Sequence, residues 1–311
     1  MPPKSRPVPF AQIEYAHVVG YFRHNLPRPV QSISRIAERL EEVPGEGKFG
    51  VLIHSDTTLC KDNSLRPILD ETRRFADIER IQCALIARER RGSDAKLVDY
   101  LWHVGYEPEE RYDVAQRDCT IVTTVRLNGY RPDPTDLEAH GDLQQHVAQE
   151  CAGRQASREL IDDIVRLTLE QQGLYYLLVD IAPMEETGAS AIYEHGNAPH
   201  VHPRSLARHI ETARWIRLRE TRREFVRGVF WGNYLNPELL ERLGGKEDFR
   251  HRYIEKAKQE VGNWRSLVQD TPQGGLFVKI SRDPLDEIAG RIGTELAVWL
   301  HEEFRRIGAL L

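Results

Sequence analysis

The chain has 311 residues, 40% of them hydrophobic and 29% charged, with a formal net charge of −5. That composition supplies a core of ordinary size and excludes wholesale disorder, and so mild a charge gives no general drive toward nucleic acid. The length exceeds what one core usually holds, so about two domains or one large α+β unit is expected.

Alternating apolar residues at Ile13, Tyr15, His17, Val19 and Tyr21 predict a strand over 11–23. Val30, Ile33, Ala37 and Leu40 then form one helical stripe over 29–43. Further strands are expected at 49–53, 81–87 and 120–127, with helices at 64–76 and 95–104. Arg131-Pro-Asp-Pro-Thr-Asp is a turn cluster that leads into helices at 135–151 and 157–172, the second capped by Ser157. The run 174–181 reads as a buried strand, and the Gly-, Pro- and His-rich 183–203 as a surface loop.

A basic helix is expected over 205–221. The stretch from Phe225 to Gly245 is the most legible: Val226, Val229, Phe230 and Trp231 read as a strand, and Gly232-Asn233 as the elbow after it. Asn236 then caps a helix whose first residue is Pro237 and whose end is marked by Gly244 and Gly245. A helix at 246–258 and strands at 263–268 and 276–281 follow. The closing helix starts at Asp283 and Pro284, with Leu285, Ile288, Ala289, Ile292, Leu296, Trp299, Leu300 and Phe304 as its apolar stripe.

The elements together give an α+β class with mixed, largely antiparallel sheets and packed helices, an order that also allows two similar α/β sandwich modules. The expected units are 1–130, an N-terminal α/β module; 131–200, a helical segment, strand and loop; and 201–311, a C-terminal α+β module.

Cys60, Cys83, Cys119 and Cys151 form no C-x-x-C pair and no secreted-domain pattern, so they read as reduced thiols. The Pro-rich start lacks the apolar run of a signal peptide, and no segment reaches the ~18 apolar residues of a membrane span. A soluble, cytoplasmic protein with no membrane partner is expected.

Chemistry is concentrated in Glu194-His195-Gly-Asn-Ala-Pro-His200-Val-His202, where His195, His200 and His202 could hold one metal ion. Without an H-E-x-x-H partner motif, and in a Pro-rich loop, the plain loop reading is preferred. His54-Ser55-Asp56, with Thr57 and Thr58, follows a strand and reads as a turn. Asp94-Ala-Lys96 matches the end of a nuclease signature but opens an expected helix, and Gly45-Glu-Gly47-Lys48 lacks the rest of a P-loop. Arg208, Arg214, Arg217, Arg219 and Arg222 surround Trp215, yet the interleaved Glu211, Glu220 and Glu224 favour a solvated face over nucleic-acid binding. No catalytic residue, cofactor or resident metal is assigned.

Arg227-Gly-Val-Phe-Trp231-Gly-Asn233-Tyr-Leu, followed by Glu238-Leu-Leu-Glu-Arg-Leu-Gly-Gly245, resembles a segment of bacterial immunity proteins of polymorphic-toxin and type VI secretion systems. The glycine-led strand from Gly274 and the closing helix are similar in order, so the resemblance spans about the last 110 residues. It implies an α+β binding module that blocks a cognate effector without catalysis, and it carries no functional residues across. The partner would be a protein, either a toxin or an assembly subunit, and the alternatives are a metal-dependent hydrolase built on the His-rich loop or a structural subunit of a bacterial defence or secretion assembly. The acidic loops holding Asp133, Asp136 and Glu138, with Arg217 and Tyr234, are the candidate contacts, Tyr234 on condition that it is exposed.

Overall fold

Ten strands pair into one sheet in the computed structural model, which describes residues 14–22, 48–53, 56–62, 80–86, 98–106, 119–126, 155, 158–183, 218–260, 264–282 and 295–311. The strands are β1 (Glu14–Phe22), β2 (Lys48–Ile53), β3 (Asp56–Asp62), β4 (Arg80–Ile86), β5 (Val98–Tyr106), β6 (Cys119–Arg126), β7 (Leu174–Pro183), β8 (Gly232–Leu235), β9 (Val268–Asp270) and β10 (Leu276–Lys279). Their order is β3-β2-β4-β5-β6-β1-β7-β8-β10-β9, and every ladder is antiparallel. With helices α1 (158–169), α2 (Pro237–Arg242), α3 (Lys246–Glu260) and α4 (Glu295–Arg306), the chain is α+β, as its sequence predicts.

Side-chain alternation assigns the two faces of the sheet. His17, Val19 and Tyr21 of β1 stand opposite Asp180, Leu178 and Tyr176 of β7 and share one face. Ala16, Val18, Gly20 and Phe22 point the other way, toward α1. A Cβ at Gly20 would lie 2.9 Å from both the Phe22 ring and the Thr168 methyl, so the missing side chain is what lets helix and sheet approach. On the same face Lys279 of β10 donates to the Asp162 carboxylate of α1.

Four sequence expectations change. Residues 98–104 of the segment read as helical lie in β5, because Val98, Tyr100, Trp102, Val104 and Tyr106 place β-formers at every second position, and 95–97 lie outside the described residues. Asp56, Thr57 and Thr58 open β3 instead of a turn, and the pair of β-branched threonines suits that role. The stretch 263–268 divides into a 3-10 turn, Trp264–Leu267, and the start of β9. The expected strand over Val226–Trp231 is irregular, and β8 begins at the residue read as its elbow. Gly232 is there for close approach: a Cβ would come within 2.6 Å of the Phe277 ring and 3.1 Å of Val179.

The capping signals hold. Asn236 caps α2 by accepting from the Leu239 amide at 2.9 Å, and Pro237 follows it. Gly244 and Gly245 adopt φ of 105° and 97°, and the Gly245 amide donates back to Leu240 at 2.8 Å. The expected helices at 29–43, 64–76 and 135–151, the basic helix up to residue 217, the loop from 184 and the Asp283 start all lie outside the described residues.

Leu296, Leu300 and Phe304 of α4 are fully buried and join the sheet and α2 in one core. Phe249 and Tyr253 of α3 meet Trp299 of α4 at ring-centroid distances of 5.9 Å. Beside them Glu303 accepts from Arg252 at 2.7 Å and Arg306 at 2.8 Å, tying α3 to α4.

Burial alone would raise the Glu303 carboxyl, but the hydrogen bonds from Arg252 and Arg306, with their charges, outweigh it and hold it below the usual range. A carboxylate lowered by folding stabilises the native state above its unfolded value of roughly 4.3, and that contribution is lost as pH falls through the folded value. Glu303→Gln should therefore have a lower urea midpoint than wild type near neutral pH, and the gap should close as pH falls below about 4. A gap that stays constant with pH would contradict this coupling.

Candidate functional site

The segment from Phe225 to Trp231 is an irregular stretch whose backbone is tied down along its length. At its start the Val226 amide donates to Ala309 at 2.8 Å, and Leu311 donates back to Val226 at 3.3 Å. Arg242 of α2 fastens the flanks, giving 2.6 Å bonds to the carbonyls of Glu224 and Ile307. One guanidinium thereby holds the chain before the segment and the turn after α4 together.

Arg227 anchors the middle. It is buried, its guanidinium donates to the Tyr21 hydroxyl and lies 6.0 Å from that ring, and its amide donates to the Tyr176 hydroxyl at 3.0 Å. Tyr21 and Tyr176 are cross-strand partners on one face of the sheet, so β1 and β7 set where Arg227 sits. A buried cation on one tyrosine hydroxyl, with its own backbone amide on a second, is a structural anchor.

Asn233 closes the far end. Its side chain accepts from the Phe230 amide at 3.0 Å and donates to the Phe230 carbonyl at 2.7 Å, satisfying both backbone groups of one residue. Trp231 is fully buried, donates its indole N–H to Ser281 at 3.1 Å, and has the Lys279 ammonium 5.1 Å from its ring. The motif residues Trp231 and Asn233, and Asn236 just beyond them, are thus all consumed by the fold.

What remains partly open to solvent on this fixed backbone is apolar: Phe225, Val229 and Phe230 each pack against the core with part of their surface accessible. Such a segment can present hydrophobic groups without paying to order its backbone on binding. Its sequence signals are Gly228, which interrupts the β-forming run, and Asn233, placed three residues after the backbone it clasps. The strand reading of Val226–Trp231 passed over both.

Of the sequence candidates, Tyr234 is 1% exposed in β8, so the condition for it to act as a partner contact is not met. It is a core residue because its ring packs over Gly275, where a Cβ would stand 2.5 Å from Tyr234. Asp133, Asp136, Glu138, Arg217, His195, His200 and His202 lie outside the described residues. Among the described residues no group of three His, Cys, Asp or Glu side chains could hold a metal ion, and no helix is long and apolar enough to cross a membrane.

No protein-family model matches the chain, and no curated protein matches it. Among solved structures, the Pseudomonas aeruginosa T6SS protein PA0821 is similar over 85% of this chain and 65% of its own, at 11% identity and a TM-score of 0.44. The chain therefore spans just under two thirds of that neighbour's length, and a likeness at this level says nothing of activity or partner.

Replacing Asn233 by Ala should cost about 2 kcal/mol of stability, one modest hydrogen bond for each of its two contacts with Phe230. Amide exchange at Phe230 should quicken by at least as much as global unfolding does. Protection at Phe230 equal to wild type would show that the clasp does not fix the segment.

Proposed function

We propose that this chain is a non-catalytic, immunity-like binding protein that neutralises a toxin effector by covering its working surface. The observation that carries this reading is the segment Phe225–Trp231, where buried polar anchors fix a backbone that offers Phe225, Val229 and Phe230 to solvent. The motif that resembles immunity proteins is the one that builds this segment and its supports. Aromatic and apolar anchors on a rigid frame are the usual source of tight protein association. The acidic residues Asp133, Asp136 and Glu138 would add steering toward a basic effector surface.

The reading is tested by co-expression with each effector encoded beside its gene. The intact chain should restore growth and form a stable complex with one of them. Phe230→Ser should weaken that complex by about tenfold or more, equivalent to roughly 1.4 kcal/mol, with a mixed apolar and polar surface left in place of the anchor. Cells that tolerate every such effector equally well without the chain would contradict the proposal, as would an unchanged affinity of the Phe230→Ser protein.

A further inference from the structure

Arg242, in the last turn of α2, differs from the other exposed arginines around the candidate segment. Arg223 reaches Glu238 at 3.1 Å, Arg305 reaches Glu302 at 3.6 Å and Arg306 reaches Glu303 at 2.8 Å, so each of these charges is met by a carboxylate. Arg242 donates only to main-chain carbonyls, those of Glu224 and Ile307, both at 2.6 Å. Its natural helical partner would be Glu238, four residues before it, and that carboxylate is taken by Arg223. Glu241, the residue just before it, does not share its face of the helix. Among the described residues the Arg242 guanidinium therefore has no ion-pair partner, although it is exposed and fixed at two points.

The two carbonyls hold the guanidinium in place but neutralise none of its charge. They also decide its surroundings. The Glu224 carbonyl leads directly into Phe225, and the Ile307 carbonyl belongs to the turn after α4, from which the parallel bridge between Val226 and Leu310 returns the chain to the segment. Phe225, Ile307 and Leu310 are each partly buried. A fixed cation is thus framed by apolar side chains that keep some surface open to solvent. A purely structural role accounts for the two carbonyl bonds and leaves the charge unused.

We propose that Arg242 takes a carboxylate of the protein partner, with Phe225, Ile307 and Leu310 as the apolar rim that shuts out water once the partner is seated. The inference rests on the reading of this segment as a partner-binding surface and adds the partner's chemistry to it: an Asp or Glu side chain set among apolar groups. The N–H groups not bonded to carbonyls can give that carboxylate charge-assisted hydrogen bonds. Because the guanidinium is already held, little of its freedom is left to lose, and a desolvated arginine is among the side chains that dominate association.

The test uses the effector that forms a complex with the chain on co-expression. Arg242→Met should weaken that complex about tenfold or more. The loss should disappear against one effector variant in which a single Asp or Glu has become its amide, and persist against the other such variants. Arg242→Lys, run through the same series, keeps the test if the Arg242→Met chain does not fold. A loss of equal size against every amide variant would mean that Arg242 only holds the segment, and it overturns the proposal. So does an affinity unchanged by the substitution. Failure of the underlying reading shows differently: no effector binds the unaltered chain, and both proposals fall together.

Discussion

Asn236 is the point on which the C-terminal part of the molecule depends. Its side-chain oxygen accepts from the Leu239 amide, and its nitrogen donates to Tyr175 of β7 at 3.1 Å and Arg223 at 2.8 Å. Three elements therefore meet on one buried amide: the strand β7, sixty-one residues back at Tyr175, the 3-10 turn Arg219–Glu224 and the start of α2. An amide can do this because it carries a donor and an acceptor at once, and burial makes each of the three bonds costly to lose.

From that junction the rest follows in order. The start of α2 is fixed, so Leu239, Leu240 and Leu243 enter the core and Arg242 points back to bind the chain just before the candidate segment and the turn after α4. The segment is then clasped at Asn233, anchored at Arg227 and bounded by the buried Trp231. The polar side chains of Arg227, Asn233 and Asn236 are spent on holding a shape. What is left partly exposed on that fixed backbone is Phe225, Val229 and Phe230.

Local signals in the sequence were legible where one residue decides the geometry. The Asn236-Pro237 start of α2, its double-glycine end, the alternation of β1 and the stripe of Leu296, Leu300 and Phe304 could all be read directly, because caps and periodicity act over a few residues. Gly232 misled: a glycine after a β-forming run looks like a turn, and only the ring of Phe277 and the side chain of Val179, distant in sequence, show that it is the first residue of a strand. Val98–Tyr106 misled in another way, since a short apolar run satisfies helical and extended periods at once. The candidate site was legible only in part. Its residues were all in view, but Arg227 finding Tyr21 and Tyr176 is a tertiary event that no spacing along the chain encodes.

The central claim, that Asn236 is the structural hub of the C-terminal part, is tested most directly by comparing the unfolding free energies of Asn236→Asp and Asn236→Ala. Asp preserves the helix cap yet places a carboxylate against the carbonyls of Tyr175 and Arg223, so it should be at least as damaging as Ala, by about 2–4 kcal/mol in each case. An Asp variant within about 0.5 kcal/mol of the wild type would mean that Asn236 only caps a helix, and the account built on it would fall.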